Sequence, residues 1–106
     1  NDKNQITFIL GKNNTVYYHQ SNEKDLSEAN LKQTDFSGLN IAKIISAAYK
    51  TAPNQEIFTV IIKPTDDATY KNFVDVLDDV SLSKKERYGV ADLKPWEAKI
   101  YENMSK

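Results

Sequence analysis

The stretch FTVIIKPTDDATYKNFVDVLDDV, Phe58 to Val80, sets a buried strand directly before an amphipathic helix, and the rest of the chain arranges itself around that pair. Phe58, Val60, Ile61 and Ile62 form a nearly continuous apolar, β-branched run, as a central strand covered by helix requires. Pro64 closes the strand because it has no N–H for the ladder. Tyr70, Phe73, Val74, Leu77 and Val80 then recur at three- and four-residue spacing, which predicts one buried helical face. Lys71, Asn72, Asp75, Asp78 and Asp79 take the other side, and Thr65 or Asp67 is placed to cap the first turn. RYGVADL, Arg87 to Leu93, follows as a second strand. Strand, helix and strand form a crossover unit with parallel strands and right-handed connection.

Upstream, Ile6 to Leu10 and Thr15 to Gln20 are β-prone runs separated by Gly11-Lys12-Asn13-Asn14, strong turn chemistry that predicts an antiparallel hairpin. Ile6, Phe8 and Leu10 share one face of it, and Val16 and Tyr18 one face of its second strand. Ser21 to Phe36 carries only scattered apolar positions and reads as a long loop. Ser37 is placed to cap a helix reaching about Ala52, with Ile41, Ile44, Ile45 and Ala48 on one stripe. Near the end, Pro95 opens a short helix with Trp96, Ile100 and Met104 four residues apart. The order β-β-α-β-α-β defines an α+β fold: two helices on one face of a four-stranded mixed sheet, with a short C-terminal helix added. All 106 residues make one domain, its core at about residues 5–93 and residues 94–106 an extension.

The composition is that of an ordinary globular domain, 40% hydrophobic and 27% charged. Fourteen Lys and Arg against 15 Asp and Glu leave a net charge of −1, which argues against an electrostatically driven nucleic-acid binder. Without cysteine there is no disulfide, thiolate nucleophile or cysteine zinc site. No apolar run approaches the roughly 20 residues of a membrane span. The chain opens at Asn1 without an initiator Met, which reads as part of a longer protein whose targeting or anchoring segment lies outside this stretch.

The element order, with IIKPTDDATYKNFVDVLDDV followed by RYGVADL, resembles the periplasmic domain of the ExbD/TolR family of bacterial energy-transducing proteins, most closely its Bacteroidetes versions. The resemblance spans about Gln5 to Leu93 and is most specific at Ile62-Lys63-Pro64, the acidic turn, Tyr70 and Val74-Asp75-Val76-Leu77-Asp78. Relatives often carry Arg-Ala-Asp where this chain has Lys63-Pro64-Thr65. The resemblance implies a single-pass inner-membrane protein whose periplasmic domain is seen here. An ExbB/TolQ-type membrane partner would use the proton motive force, and a TonB/TolA-type transducer would receive the work for outer-membrane transport or envelope maintenance. The proton-responsive aspartate would sit in the missing membrane helix, leaving a docking and homodimerisation module that could also touch peptidoglycan. The competing expectation is a stand-alone periplasmic ligand- or peptidoglycan-binding module without proton coupling.

No catalytic set, cofactor motif or metal-ligand set is legible, so the expected site is a partner surface. Arg87, Tyr88, Val90 and Asp92 belong to the terminal strand; an open sheet edge there would accept a strand from another chain. The opposing expectation is that the terminal helix blocks that edge. Asp66, Asp67, Asp75, Asp78 and Asp79 read as a solvated, capping set rather than an acid–base or cation site, with Lys71 and Asp75 an i,i+4 pair. His19, between Tyr18 and Gln20, reads as a packing or surface histidine. Tyr17, Tyr18, Tyr49, Tyr70, Tyr88 and Tyr101 read as dispersed partial-core residues rather than a glycan platform, and the run Lys84 to Arg87 as an exposed connection. Asn13-Asn14-Thr15 and Asn103-Met104-Ser105 match the glycosylation pattern by chance.

Overall fold

A computed structural model describes residues 2–81 and 87–106. Its strands are β1 (Gln5–Leu10), β2 (Thr15–His19), β3 (Lys32–Asp35), β4 (Thr59–Pro64) and β5 (Arg87–Val90), joined in one mixed sheet of order β3-β2-β1-β4-β5. Helix α1 (Gly38–Thr51) connects β3 to β4, α2 (Tyr70–Ser81) connects β4 to β5, and α3 (Pro95–Met104) follows β5. Strand β2 runs antiparallel to both its neighbours, while β1–β4 and β4–β5 are parallel pairs. The α+β class and the helix pair on one face stand as expected, with one strand more than the four expected.

The hairpin forms where the turn chemistry puts it. Thr15 N–H donates to the Lys12 carbonyl at 3.1 Å, and Asn13 and Asn14 between them both adopt φ +56°. A primed hairpin turn needs that left-handed pair, and asparagine tolerates it better than most residues. The additional strand, β3, lies in the segment expected to be a loop. Lys32-Gln33-Thr34-Asp35 has no apolar alternation to betray it; the strand exists because its backbone pairs with β2 from Tyr18↔Lys32 to Thr15↔Asp35. The stretch before it is anchored by Leu26 and Leu31, both buried.

Strand β3 hands over to α1 through a polar knot. The Asp35 carboxylate accepts from the Ser37 N–H at 2.9 Å and from the Asn40 side chain at 3.0 Å, and these bonds lower its pKa. Ser37 caps α1 as expected, its hydroxyl accepting from the Asn40 N–H. In α2 the stripe is rotated from the expected one. Val76 and Val80 are buried with Phe73 and Leu77 packed beside them, whereas Tyr70 is 80% exposed. The cap also differs: the Thr69 hydroxyl accepts from the Asn72 N–H at 3.1 Å. Thr65 is used earlier, its N–H and hydroxyl both donating to the Leu10 carbonyl, so that it ties the end of β4 to β1.

Two hydrophobic clusters lie on opposite faces of the sheet. The larger gathers Ile6, Phe8, Leu10, Val16, Val60 and Ile62 under α1 and α2, with the alternation a pleated strand imposes. The smaller holds Ile9, Tyr17, Leu26, Leu31 and Tyr101, with Leu93, Trp96, Ile100 and Met104 against it. The C-terminal segment, expected as an extension beyond the core, therefore supplies a layer of its own. Both faces of β1 are covered, which is why five of its six residues are buried.

Candidate functional site

Strand β5 closes the sheet on one side, and its hydrogen-bonding pattern decides what it offers. Arg87 N–H donates to the Phe58 carbonyl and Ala91 N–H to the Ile62 carbonyl, so the odd-numbered amides face β4. Successive residues of a parallel strand alternate, so the N–H and C=O groups of Tyr88 and Val90 point outward. Among the described residues no strand pairs with that outer side. Tyr88 and Val90 lie in register with Val60 and Ile62, on the face of α1 and α2, yet remain 48% and 51% exposed. On the other face a Cβ added to Gly89 would meet nothing within 4 Å, so α3 does not cover the strand. The expected site residues Arg87, Tyr88, Val90 and Asp92 are all exposed, but the strand ends at Val90 rather than Leu93, so Asp92 lies past it, and only Tyr88 and Val90 turn N–H and C=O groups outward to an edge that no strand pairs with among the described residues.

A second constellation escaped the sequence reading. Glu97, wholly buried in the first turn of α3, accepts from three donors. Its Oε2 receives His19 Nε2 at 2.8 Å, and its Oε1 receives the Lys63 ammonium and, at 2.9 Å, the Lys94 N–H. His19 and Lys63 are themselves only 4% and 6% exposed. The cluster therefore clamps α3 onto β2 and β4 at once. Ser21 N–H donates to His19 Nδ1 at 3.0 Å, so the ring proton sits on Nε2 and the imidazole is neutral; Lys63 balances the carboxylate. Burial pushes the Glu97 carboxyl up, but the His19, Lys63 and Lys94 hydrogen bonds and the Lys63 charge outweigh it and hold the pKa down to about 2.

Chemically this is a clamp. Both imidazole nitrogens are committed, so His19 has none left to take a proton from a substrate, and among the described residues no side-chain hydroxyl bonds to the cluster. His19 is a packing residue, as expected, but with an ionic partner 78 residues away that local spacing could not show. One signal was available: Pro95 followed two residues later by Glu97 is the pattern of a helix start whose third residue reaches back to the cap.

Beside the clamp, Tyr101 donates its hydroxyl proton to Asp67 at 2.8 Å and accepts from the Lys12 N–H at 3.2 Å. Burial, then Asp67, raises its pKa. A Cβ on Gly11 would come within 2.7 Å of the Tyr101 ring, so the glycine is needed for this close approach.

The remaining candidate residues are dispersed. Lys71 and Asp75 pair at 3.0 Å in solvent, and Asp79 rests against Gly38 with its pKa raised by burial and by Asp75 and Asp78. Among the described residues no His, Asp and Glu group is arranged to hold a metal ion. The tyrosines separate: Tyr17 meets Tyr101 and Tyr49 meets Phe58 edge-on, while Tyr18 with Phe8 and Tyr70 with Phe73 form tilted pairs. Of the basic run, Lys84, Lys85 and Glu86 lie outside the described residues. Comparison with protein-family models, curated proteins and solved structures finds no match to this chain.

Proposed function

We propose that this domain is a non-catalytic docking module, the periplasmic output domain of an ExbD/TolR-like protein that pairs through β5 with a second copy of itself and with a TonB/TolA-type transducer. In that reading an ExbB/TolQ-type partner supplies proton-driven motion through a membrane helix outside this stretch; among the described residues no helix is long and apolar enough to cross a membrane. The observation that carries the proposal is the outer side of β5, which no strand pairs with among the described residues, with the half-exposed Tyr88 and Val90 side chains beside outward N–H and C=O groups. Strand addition draws affinity from such backbone groups and selectivity from the flanking side chains. The layout of two helices over one face of a mixed sheet supports the same family reading.

Val90→Pro tests it, because the amide it removes points away from β4 and the fold should survive. Loss of cross-linking between copies and to the transducer, with an unchanged circular dichroism spectrum, is the expected result. Unchanged cross-linking by a folded variant would sink the edge assignment. Reading the open frame upstream of Asn1 tests the coupling separately: a single apolar stretch of roughly 20 residues with an internal Asp is expected. A cleavable signal peptide without that stretch would remove the proton-coupled role.

A further inference from the structure

Backbone groups alternate along β5: Tyr88 and Val90 turn theirs outward, while Arg87 and Gly89 turn theirs to β4. An added antiparallel strand exchanges both N–H···O bonds only where an outward residue meets another outward residue. For two identical strands that leaves Tyr88 opposite Tyr88, Val90 opposite Val90, or Tyr88 opposite Val90. Each of the first two makes a single such pair within β5, whereas the last makes a pair on either side of Gly89. It also sets each half-exposed Tyr88 ring beside a β-branched Val90, a favourable cross-strand combination. The closest backbone approach, about 4.5 Å between Cα atoms in the non-hydrogen-bonded pair, then falls on Gly89 and its copy. A Cβ there would meet nothing within 4 Å, so nothing in the chain itself obstructs the approach. Charge selects the antiparallel sense. Arg87 opens the edge and Asp92 lies just past its end, both exposed and in no ion pair among the described residues. Antiparallel strands bring Arg87 of each copy toward Asp92 of the other, whereas parallel strands would bring like charges together.

From this self-complementarity we infer that β5 pairs with a second copy of this chain in one register, antiparallel and centred on Gly89, with each Tyr88 opposite Val90 of the other copy. This register rests on the self-pairing through β5 proposed above and fixes which residues meet.

The chain has no cysteine, so single cysteines report the register by disulfide trapping of the 106-residue protein under mild oxidation. Gly89→Cys is expected to form a linked dimer on the order of tenfold faster than Lys71→Cys, an exposed position on α2 that reads random collision. Tyr88→Cys and Val90→Cys should each link poorly alone, because each stands diagonal to its own copy at about 7–8 Å, beyond disulfide reach. Mixed, those two variants should link to one another. Fastest linkage by Tyr88→Cys alone or Val90→Cys alone would overturn this register and leave the edge assignment standing. Variants that are folded by circular dichroism and all link no faster than Lys71→Cys would overturn the self-pairing and the register with it.

Discussion

The two faces of the sheet solve the same packing problem with different chemistry. Under α1 and α2 the buried strand residues are apolar, and the helices rest on the sheet through packing without a buried charge. Under α3 an apolar cluster is joined to a buried carboxylate, an ammonium and an imidazole. The first face tolerates small errors of size, because neighbouring side chains partly relax into a vacancy. The second face does not tolerate loss of one partner, because the groups left behind are charged or polar and out of water. A short terminal helix with few core residues thereby gains a single defined position.

Removing one charge should produce the largest effect. Glu97→Ala leaves Lys63 without its counter-ion and the Lys94 N–H without an acceptor, so a loss of about 3–5 kcal/mol is expected in urea unfolding. Ile62→Ala, the comparison on the apolar face, should cost about 2–5 kcal/mol by leaving a cavity. Replacing the charged pair together separates the two mechanisms: Lys63→Met with Glu97→Leu should cost less than the sum of the single changes, since no orphan charge remains. Strict additivity would mean that the pair is not coupled.

Acid should distinguish the faces in the same way. The Glu97 pKa is about 2 in the folded chain against 4.5 as its ordinary value, so the unfolded chain takes up this proton first. The associated stability is fully present above about pH 4.5 and is lost progressively as pH falls toward 2. Unfolding measured across that window should show a steeper decline for the parent than for Glu97→Gln. A smaller effect, about 0.5–1.5 kcal/mol, is expected for Tyr101→Phe, which gives up its bonds to Asp67 and Lys12 but keeps the ring on Gly11. Smallest of all, Lys71→Ala should move stability by no more than about 0.5 kcal/mol, because its pair with Asp75 lies in water.

The apolar face was legible in the sequence because its signals are local. Alternation in β1 and β2, the Ser37 cap of α1 and the run at Val60 to Ile62 each repeat within a few residues. Where the signal was ambiguous, phase failed first: in α2 both Tyr70 and Val76 suit a helical stripe, and only contact with α1 and the sheet selects Val76. Strand β3 was illegible since Lys32 to Asp35 owe their conformation to the backbone of β2 rather than to their own side chains. The ionic clamp was illegible for a related reason. His19, Lys63 and Glu97 become meaningful only once the second face is known to be covered, and their partnership spans 78 residues. Strand β5 was legible as a strand, while its openness follows from the sheet order.

The outward amides of Tyr88 and Val90 also constrain the symmetry of any self-pairing through β5. Two identical strands meeting antiparallel are related by a two-fold axis normal to their common sheet. Such an axis never exchanges top and bottom, so the pair would carry both α3 helices on one side and both α1–α2 layers on the other. The assembly would be a two-sided plate, able to present one surface to whatever moves it and a chemically different surface to whatever it moves.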